Sequence, residues 1–210
     1  MESKIIVDAL NWRKAVKVFE PAKKVSKEDL NTILESARLS PSSYGIQAWK
    51  FIVVIDPKIR AQLRSAGYDQ PKITDSSHLI VIARRTDTEN LSTELVARTA
   101  KIQNKDISQL VGFKQMVDGA IASKVGATLD SWIAHQTYIA LGIMIETASL
   151  LEIDSAPMEG FDQVKVNEIL GLSNKKLSAV TILAIGYRGD DSYSNQPKVR
   201  RSFDEVVEFI

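Results

Sequence analysis

Basic residues stand at two distant places in the chain, and together they could hold a phosphate group. Arg13, Lys14 and Lys17 lie in the segment NWRKAVKVF near the start, and Lys198 and Arg200 lie in QPKVRRSF near the end. A helical turn would point Arg13 and Lys17 the same way, and an extended chain would do the same for Lys198 and Arg200. If the segments meet, arginine supplies a bidentate fork and lysine a point charge. A solvated basic surface is the competing interpretation.

Two loops are further candidates for contact with a ligand. Residues 40–49 (SPSSYGIQAW) combine three serines with Gly, Gln and two aromatic rings, a mixture typical of small-molecule sites. The alternative is a plain connection whose Trp49 fills the core. Residues 156–161 (APMEGF) predict a Pro-Gly loop that either presents backbone N–H groups to a ligand or simply turns the chain.

Several kinds of chemistry lack the residues they need. The chain has no cysteine, which excludes disulfides, thiol nucleophiles and cysteine-based metal sites. It has neither a GxGxxG after a strand, nor a GxxxxGK[ST], nor a GxSxG elbow. Its two histidines, His78 and His135, have no ligand spacing around them. We therefore predict no dinucleotide-binding Rossmann fold, no P-loop, no serine hydrolase and no metal site.

The composition is that of an ordinary globular protein, and we predict one domain over residues 1–210. Of the 210 residues, 44% are hydrophobic and 25% charged, and 27 basic against 26 acidic residues leave a net charge of +1. No overall field then favours nucleic acid or a membrane surface as partner. The most apolar stretch, residues 138–153, is shorter than the roughly 20 residues that span a bilayer. We expect a buried helix there and a cytoplasmic protein.

Apolar periodicity predicts the elements that must position these residues. Nearly continuous β-branched runs at 50–56, 78–83 and 179–186 indicate strands buried on both faces. Caps at Ser26, Asp56 and Asp162 predict helix starts, and residues 128–151 predict the longest helix, apolar on more than one side.

The remaining stretches are less regular. Residues 88–125 suggest one or two surface helices broken by Gly112 and Gly119, and residues 187–210 suggest an arm that docks elsewhere through its apolar end, FDEVVEFI.

In this order, the motifs NWRKAVKVF, SPSSYGIQAWKFIVV, QPKITDSSHLIVIA, PMEGF and QPKVRRSF resemble those of the nitroreductase family of FMN-dependent NAD(P)H oxidoreductases. The resemblance covers nearly the whole chain. It implies an α+β fold with a mostly antiparallel sheet flanked by helices, whose final strand comes from the swapped C-terminal arm of a partner. It also implies a homodimer with two FMN sites at its interface.

The resemblance assigns roles to individual residues, with no protein group acting as catalytic acid or base. Arg13, Lys198 and Arg200 would hold the FMN phosphate, with Lys14 and Ala15 beside them. At the pyrimidine edge of the flavin, a cation would stabilise the charge that gathers on reduction. The residues implied at this edge are Lys17, Gln70 and Lys72; those against the ring are Pro157, Met158, Glu159 and Gly160, with the Glu159 N–H toward N5; those from the other subunit are Pro41, Ser42, Ser43 and Gly45.

The chain departs from the family pattern at three positions. Ala15 stands where serine is common, which removes one side-chain hydrogen bond to the cofactor. Gly45 and Ala48 replace the Asn and Pro of SPSSxNxQPW, so substrate range transfers less well than cofactor choice. Tyr44 and Phe113 are candidates for contact with the nicotinamide or the acceptor, and packing is the alternative for both.

The implied reaction is a ping-pong transfer of hydride from NADH or NADPH through the flavin to a small-molecule acceptor such as a nitroaromatic, a quinone or free flavin. The alternatives are a flavoprotein of the same fold with other chemistry, such as dehalogenation or flavin breakdown, a non-catalytic flavin-binding sensor, and a scaffold without cofactor.

Overall fold

A four-stranded antiparallel sheet forms the centre of the protein in a computed structural model that describes residues 3–210. The strands are β1 (Trp49–Val54), β2 (His78–Arg85), β3 (Asp154–Met158) and β4 (Leu177–Gly186), in the order β1-β2-β4-β3. Every neighbouring pair is antiparallel. With helices on both faces, this architecture confirms the predicted α+β class.

The two central strands, β2 and β4, are the most apolar of the four. From Leu79 to Ala83, strand β2 has no exposed surface, and Ile182 to Ile185 in β4 are likewise fully buried. Successive side chains alternate between two apolar clusters, one on each face of the sheet. This double burial explains the continuous β-branched runs from which these strands were predicted.

Strand β3 was not predicted, because its sequence, DSAPM, reads as the start of a loop. Pro157 and Met158 belong to this strand, and the predicted Pro-Gly loop is therefore shortened to a turn that begins at Glu159. Proline lacks the N–H that a central strand needs, but β3 lies at the edge of the sheet, where proline is tolerated.

Within residues 3–210, eight α-helices surround the sheet, and the predicted caps start three of them. Ser26 Oγ accepts a hydrogen bond from Asp29 N at 3.0 Å, and Asp56 and Asp162 accept from N–H groups in the next turn. The helices are α1 (Ser3–Trp12), α2 (Lys27–Arg38), α3 (Pro57–Ala66), α4 (Lys72–Asp75), α5 (Leu91–Gln103), α6 (Val111–Ala122), α7 (Ala127–Leu150) and α8 (Gln163–Leu170).

Helices α2 and α7 pack together on one face of the sheet, and α3 and α8 pack together on the other. Ile133, Ala140 and Met144 of α7 are fully buried, while Tyr138 and Ile139 are about two-fifths exposed, at 38% and 41%. Helix α7 therefore keeps apolar surface that the chain itself does not cover. None of the helices in the described part of the chain has both the length and the apolar character of a bilayer-spanning segment.

Two details of the helix prediction were wrong. Gly112 and Gly119 do not break the helices of residues 88–125, because both lie inside α6. The break occurs at Asn104, which ends α5 in the left-handed conformation with φ of 51°. Helix α1 ends at Trp12, so Arg13 and Lys17 do not share a helical face. The intervening segment is instead held against other parts of the chain.

Beyond β4, the chain returns to the sheet edge before it reaches the C-terminal tail. Arg188 forms an ion pair with the buried carboxylate of Asp154 at 2.5 Å. Residues 197–210 contain no strand in this single chain, and Phe203, Val206 and Phe209 are more than half exposed. The swapped strand therefore stays a prediction.

Candidate cofactor site

The segment from Arg13 to Phe19 runs along the edge of the sheet and is anchored there at three points. Ala15 forms a parallel bridge with Ser155 of β3, and Phe19 forms an antiparallel bridge with Arg188. Between them, the Lys17 N–H donates to Asp191 Oδ2 at 2.8 Å. This segment lies between strand β3 and the start of the C-terminal tail, and it bends at Lys17.

The two basic segments predicted from the sequence meet at this edge. Four of the predicted residues, Arg13, Lys14, Lys198 and Arg200, line one cavity of about 220 Å³, together with Ala15, Tyr193, Gln196, Pro197 and Val199. The Lys14 ammonium donates to the Gln196 carbonyl at 2.7 Å, and the Lys198 ammonium donates to the Leu10 carbonyl. Backbone carbonyls thus hold both lysines at the cavity.

The cavity has an excess of positive charge. Burial, and then the neighbouring charges of Arg13, Arg200 and Lys14, lower the pKa of Lys198. Burial and Arg200 likewise lower the pKa of Arg13. Within residues 3–210, none of these four cations has a carboxylate at ion-pair distance. The donor set fits a phosphate group, which would relieve the mutual repulsion.

Arg13 is the most available donor of the cluster. Its side chain is half-buried and forms no hydrogen bond to any residue of the described range, 3–210. A guanidinium that has lost part of its hydration and has gained no acceptor is in an unfavourable state. An anion that accepts two parallel N–H groups would satisfy it.

Lys17, farther along the same segment, acts electrostatically on Lys72 of α4. Burial, and then the charge of Lys17, lower the pKa of Lys72. Lys17 also lies over the ring of Tyr193, with its nitrogen 5.1 Å from the centroid. The four residue steps from Arg13 to Lys17 span at most about 13 Å, the length of fully extended chain. One bound mononucleotide could therefore reach both residues.

The turn after β3 connects the region of Lys72 to helix α7. Gln70 Nε2 donates to the Gly160 carbonyl at 2.8 Å and to the Gly67 carbonyl at 2.9 Å. The hydroxyl of Tyr138 on α7 donates to the Glu159 carboxylate at 2.7 Å. Burial and this hydrogen bond raise the pKa of Tyr138 to about 12. The predicted residues Gln70, Glu159 and Gly160 are thus brought together.

The serine-rich loop lies elsewhere, and its contacts are with α7 and α5. Ser43 N donates to Gln136 Oε1 of α7 at 2.8 Å, and Gly45, with φ of 74°, faces Leu95 of α5. Tyr44 is 42% exposed. Ile46 and Ala48, rather than Trp49, are the buried residues of this loop. Within residues 3–210, the loop 41–45 of the same chain therefore contributes no residue to the lining of the basic cavity.

Phe113 is a packing residue within this chain. It lies on α6, is partly buried, and packs against two small apolar clusters that include Val96, Leu110 and Val117. The ring is only partly buried, and its role in binding an acceptor stays a prediction. In a dimer, the ring would still be near the loop that carries Tyr44, because Ile46 belongs to one of the same clusters.

Sequence analysis missed three residues that shape this region. Asp191 is buried, with 6% of its surface exposed. Its carboxylate accepts hydrogen bonds from Lys17 N, Tyr193 N and Ser194 Oγ. The local part of this pattern, an Asp that caps the next turn, is a sequence signal. Tyr138 and Ser155 had none, because their neighbours come from remote segments. In the described residues, no cluster of His, Asp or Glu could hold a metal ion.

Comparison with known proteins places this geometry in a family. The model of the "Nitroreductase family" matches residues 10–187, which include the whole sheet and every helix from α2 to α8. The chain belongs to the nitroreductase family. A Staphylococcus aureus protein (strain bovine RF122 / ET3-1) named "Putative NAD(P)H nitroreductase" is 38% identical over 98% of this chain and 95% of its own length.

Solved structures show the same fold at lower identity. A Bacillus subtilis "putative nitroreductase" covers 100% of both chains with a TM-score of 0.88 at 20% identity. A protein from Exiguobacterium sibiricum 255-15, described as a "putative nitroreductase in complex with FMN", has a TM-score of 0.83 at 21% identity and covers 100% of this chain and 98% of its own. The nitroreductase fold is thus complete in this chain.

Proposed function

We propose that this nitroreductase-family protein is an FMN-dependent oxidoreductase that uses NAD(P)H to reduce a small organic acceptor. One observation carries the proposal: four cations that have no carboxylate partner within residues 3–210 line a single cavity, and Lys17 follows at most about 13 Å farther along the chain and acts electrostatically on Lys72. The names of the S. aureus relative and of the E. sibiricum complex support this choice of donor and cofactor.

Each end of the site suits a different part of the cofactor. Arg13, Lys14, Lys198 and Arg200, beside Ala15, would hold the phosphate, with arginine as the bidentate donor. Lys17, Gln70 and Lys72 would hold the pyrimidine end of the flavin. The residues that would lie against the ring are Pro157, Met158, Glu159 and Gly160.

Bound FMN would supply the redox chemistry, because its N5 accepts hydride and returns it to the acceptor. The protein would contribute charge placement and orientation. The cations of Lys17 and Lys72 would stabilise negative charge at the pyrimidine end, in a region where Lys72 is already partly shielded from water. Gln70 and Tyr138 fix the turn at Glu159 and Gly160 from two sides, which would keep that side of the ring in one geometry.

We also propose that the active form is a homodimer. Phe203, Val206, Phe209 and Ile210 expose apolar side chains in the single chain, a cost that a second copy would remove. The exposed residues Tyr138 and Ile139 of α7 add apolar surface of the same kind. In such a dimer, Pro41, Ser42, Ser43 and Gly45 of the other copy would complete the site, and Tyr44 and Phe113 would contact the acceptor or the nicotinamide.

An absorption spectrum of the purified protein, loaded with FMN, tests this function. We expect about one flavin per subunit, bleaching on anaerobic addition of NADH or NADPH, and recovery of the flavin bands on addition of a quinone or a nitroaromatic compound. A protein that takes up FMN but is not bleached by either nucleotide would instead be a binding protein. A protein that takes up no FMN would refute the proposal.

A further inference from the structure

Arg60 of α3 is the most deeply buried arginine in the described part of the chain, with 8% of its surface exposed. Its Nε donates to the Ile73 carbonyl at 2.8 Å, and its Nη1 donates to the Ser77 carbonyl at 3.2 Å. Its Nη2 donates to both the carbonyl and the hydroxyl of Ser76 at 2.7 Å. One side chain therefore binds Ile73 of α4 and both residues between α4 and β2, Ser76 and Ser77.

No carboxylate within residues 3–210 forms an ion pair with Arg60. Asp75 is the acidic neighbour that acts on it, yet the Asp75 carboxylate accepts its hydrogen bond from Thr74. Burying a guanidinium without a counterion is costly, and a core residue such as Leu would fill the same space more cheaply. We therefore attribute the presence of a buried guanidinium at this position to its hydrogen bonds with the backbone carbonyls.

Helix α4, which contains the Ile73 carbonyl and ends just before Ser76, cannot hold its shape by itself. It is a single turn from Lys72 to Asp75, closed by bonds such as Asp75 N to the Pro71 carbonyl at 2.9 Å. Nucleating one helical turn is unfavourable without outside contacts. Arg60 binds the free carbonyls at the end of this turn, where a positive charge is also favourable.

Two residues of the candidate site depend on the position of this turn. Lys72 is its first residue. Gln70 lies two positions before it, and the Gln70 carbonyl accepts a hydrogen bond from Ile73 N at 3.1 Å. Ile73 is thus bound at its N–H by Gln70 and at its carbonyl by Arg60. A shift of this turn would move the Lys72 ammonium and the Gln70 amide together.

We propose that Arg60 is a positioning residue that fixes the α4 turn and so holds Gln70 and Lys72 at the pyrimidine end of the cofactor. This inference rests on the proposed function. A lysine could keep the charge, but it could not reach carbonyls of three residues at once, because only arginine has the planar fork of five donors.

A double-mutant cycle for FMN binding tests the proposal. We would measure the FMN Kd by flavin fluorescence for the wild type, Arg60→Met, Lys72→Met and the double variant, with Arg60→Lys as the conservative replacement. Leu172→Ala is the matched control, because it removes a fully buried side chain outside α4 from the apolar cluster that also contains Ile73, while every hydrogen bond to the α4 turn is kept. Hydrogen exchange of the amides of residues 73–76, measured without FMN, reports the order of the turn directly.

We expect Arg60→Met to raise the Kd about tenfold, and by less than about twofold when Lys72 is already Met, because coupled residues are not additive. Amides 73–76 should exchange faster in Arg60→Met than in Leu172→Ala, and Arg60→Lys should fold normally but fail to restore the Kd.

Equal effects of Arg60→Met in both backgrounds would overturn the proposal, as would a Kd like that of the control. If Arg60→Met does not fold, the same comparison with Arg60→Lys decides between these outcomes. Failure of the proposed function is distinct, since the wild type itself would then bind no FMN.

Discussion

Replacing Arg13 by methionine should weaken cofactor binding while leaving the empty protein as stable as before, or more stable. Most substitutions lower both stability and binding, so opposite signs would be diagnostic. Methionine keeps most of the apolar stem of Arg13, which follows the last residue of α1, and removes only the charged fork. In the empty protein this fork has no hydrogen-bond acceptor among residues 3–210 and lies among like charges.

The magnitudes follow from this environment. A hydrogen bond to a charged group is worth about 1.5 to 3 kcal/mol, so losing the Arg13 contact to a phosphate should raise the FMN Kd about 10- to 150-fold. Removing one of several unpaired like charges should change the stability of the empty protein by between zero and about +1 kcal/mol. For a chain of this length, that corresponds to a rise in Tm of up to about 2 to 4 °C.

The assay combines a fluorescence titration with FMN and thermal unfolding of the cofactor-free protein. Arg38→Met is the matched control, since it removes the same charge from an exposed bidentate pair with Glu35 on α2. The control should leave the FMN Kd within about twofold of the wild type, an ordinary outcome for a distant surface substitution. Lower stability of the empty Arg13→Met protein together with an unchanged Kd would refute the assignment of this cavity to the phosphate.

Three further predictions follow from other parts of the structure. The folded state lowers the pKa of Lys198 and Lys72, so FMN affinity should fall with rising pH before the ordinary lysine pKa of about 10.4 is reached. The empty protein should gain stability over the same range, because it binds fewer protons than the unfolded chain. A flat titration of FMN affinity between pH 7 and 10 would contradict this. Ser155→Ala should stabilise the protein by about 1 kcal/mol in thermal unfolding, because the buried Ser155 hydroxyl has no hydrogen-bond partner among residues 3–210; a loss of stability would show that the hydroxyl has one. Deleting residues 204–210 should convert the dimer to monomer in sedimentation experiments and weaken FMN binding with it; a truncated dimer that keeps its flavin would rule out the proposed role of the tail.

The lack of a counterion in the basic cavity has a structural cause. The Asp191 carboxylate, which lies nearby in the chain, accepts hydrogen bonds from three donors: Lys17 N, Tyr193 N and Ser194 Oγ. The Asp154 carboxylate is likewise taken by Arg188. Both acidic groups at this edge therefore maintain the backbone, and the four cations remain available to an external anion.

Local features of the sequence were reliable wherever the interaction partners lie within a few residues. The caps at Ser26, Asp56 and Asp162 form as predicted, because each side chain binds an N–H group in the next turn. The runs that became β2 and β4 were recognised because burial on both faces leaves no polar position in the pattern. The family motifs, in their order along the chain, were sufficient to predict the fold class, and the match of the nitroreductase family model to residues 10–187 agrees with that prediction.

Other features depend on segments that are remote in sequence. Strand β3 has a weak local signal, and it exists because β4 offers an edge to which residues 154–158 can pair. The basic cavity joins Lys14 to Gln196, which are 182 positions apart, and no local pattern could reveal whether the two segments meet.

The electrostatic effect of Lys17 on Lys72 has the same origin, since it depends on where the Ala15 and Phe19 bridges place the chain. Residue types and short spacings therefore indicate which chemistry this protein can support. The positions of the charges that would carry it out follow from contacts between distant segments, whose free energy depends on the whole fold.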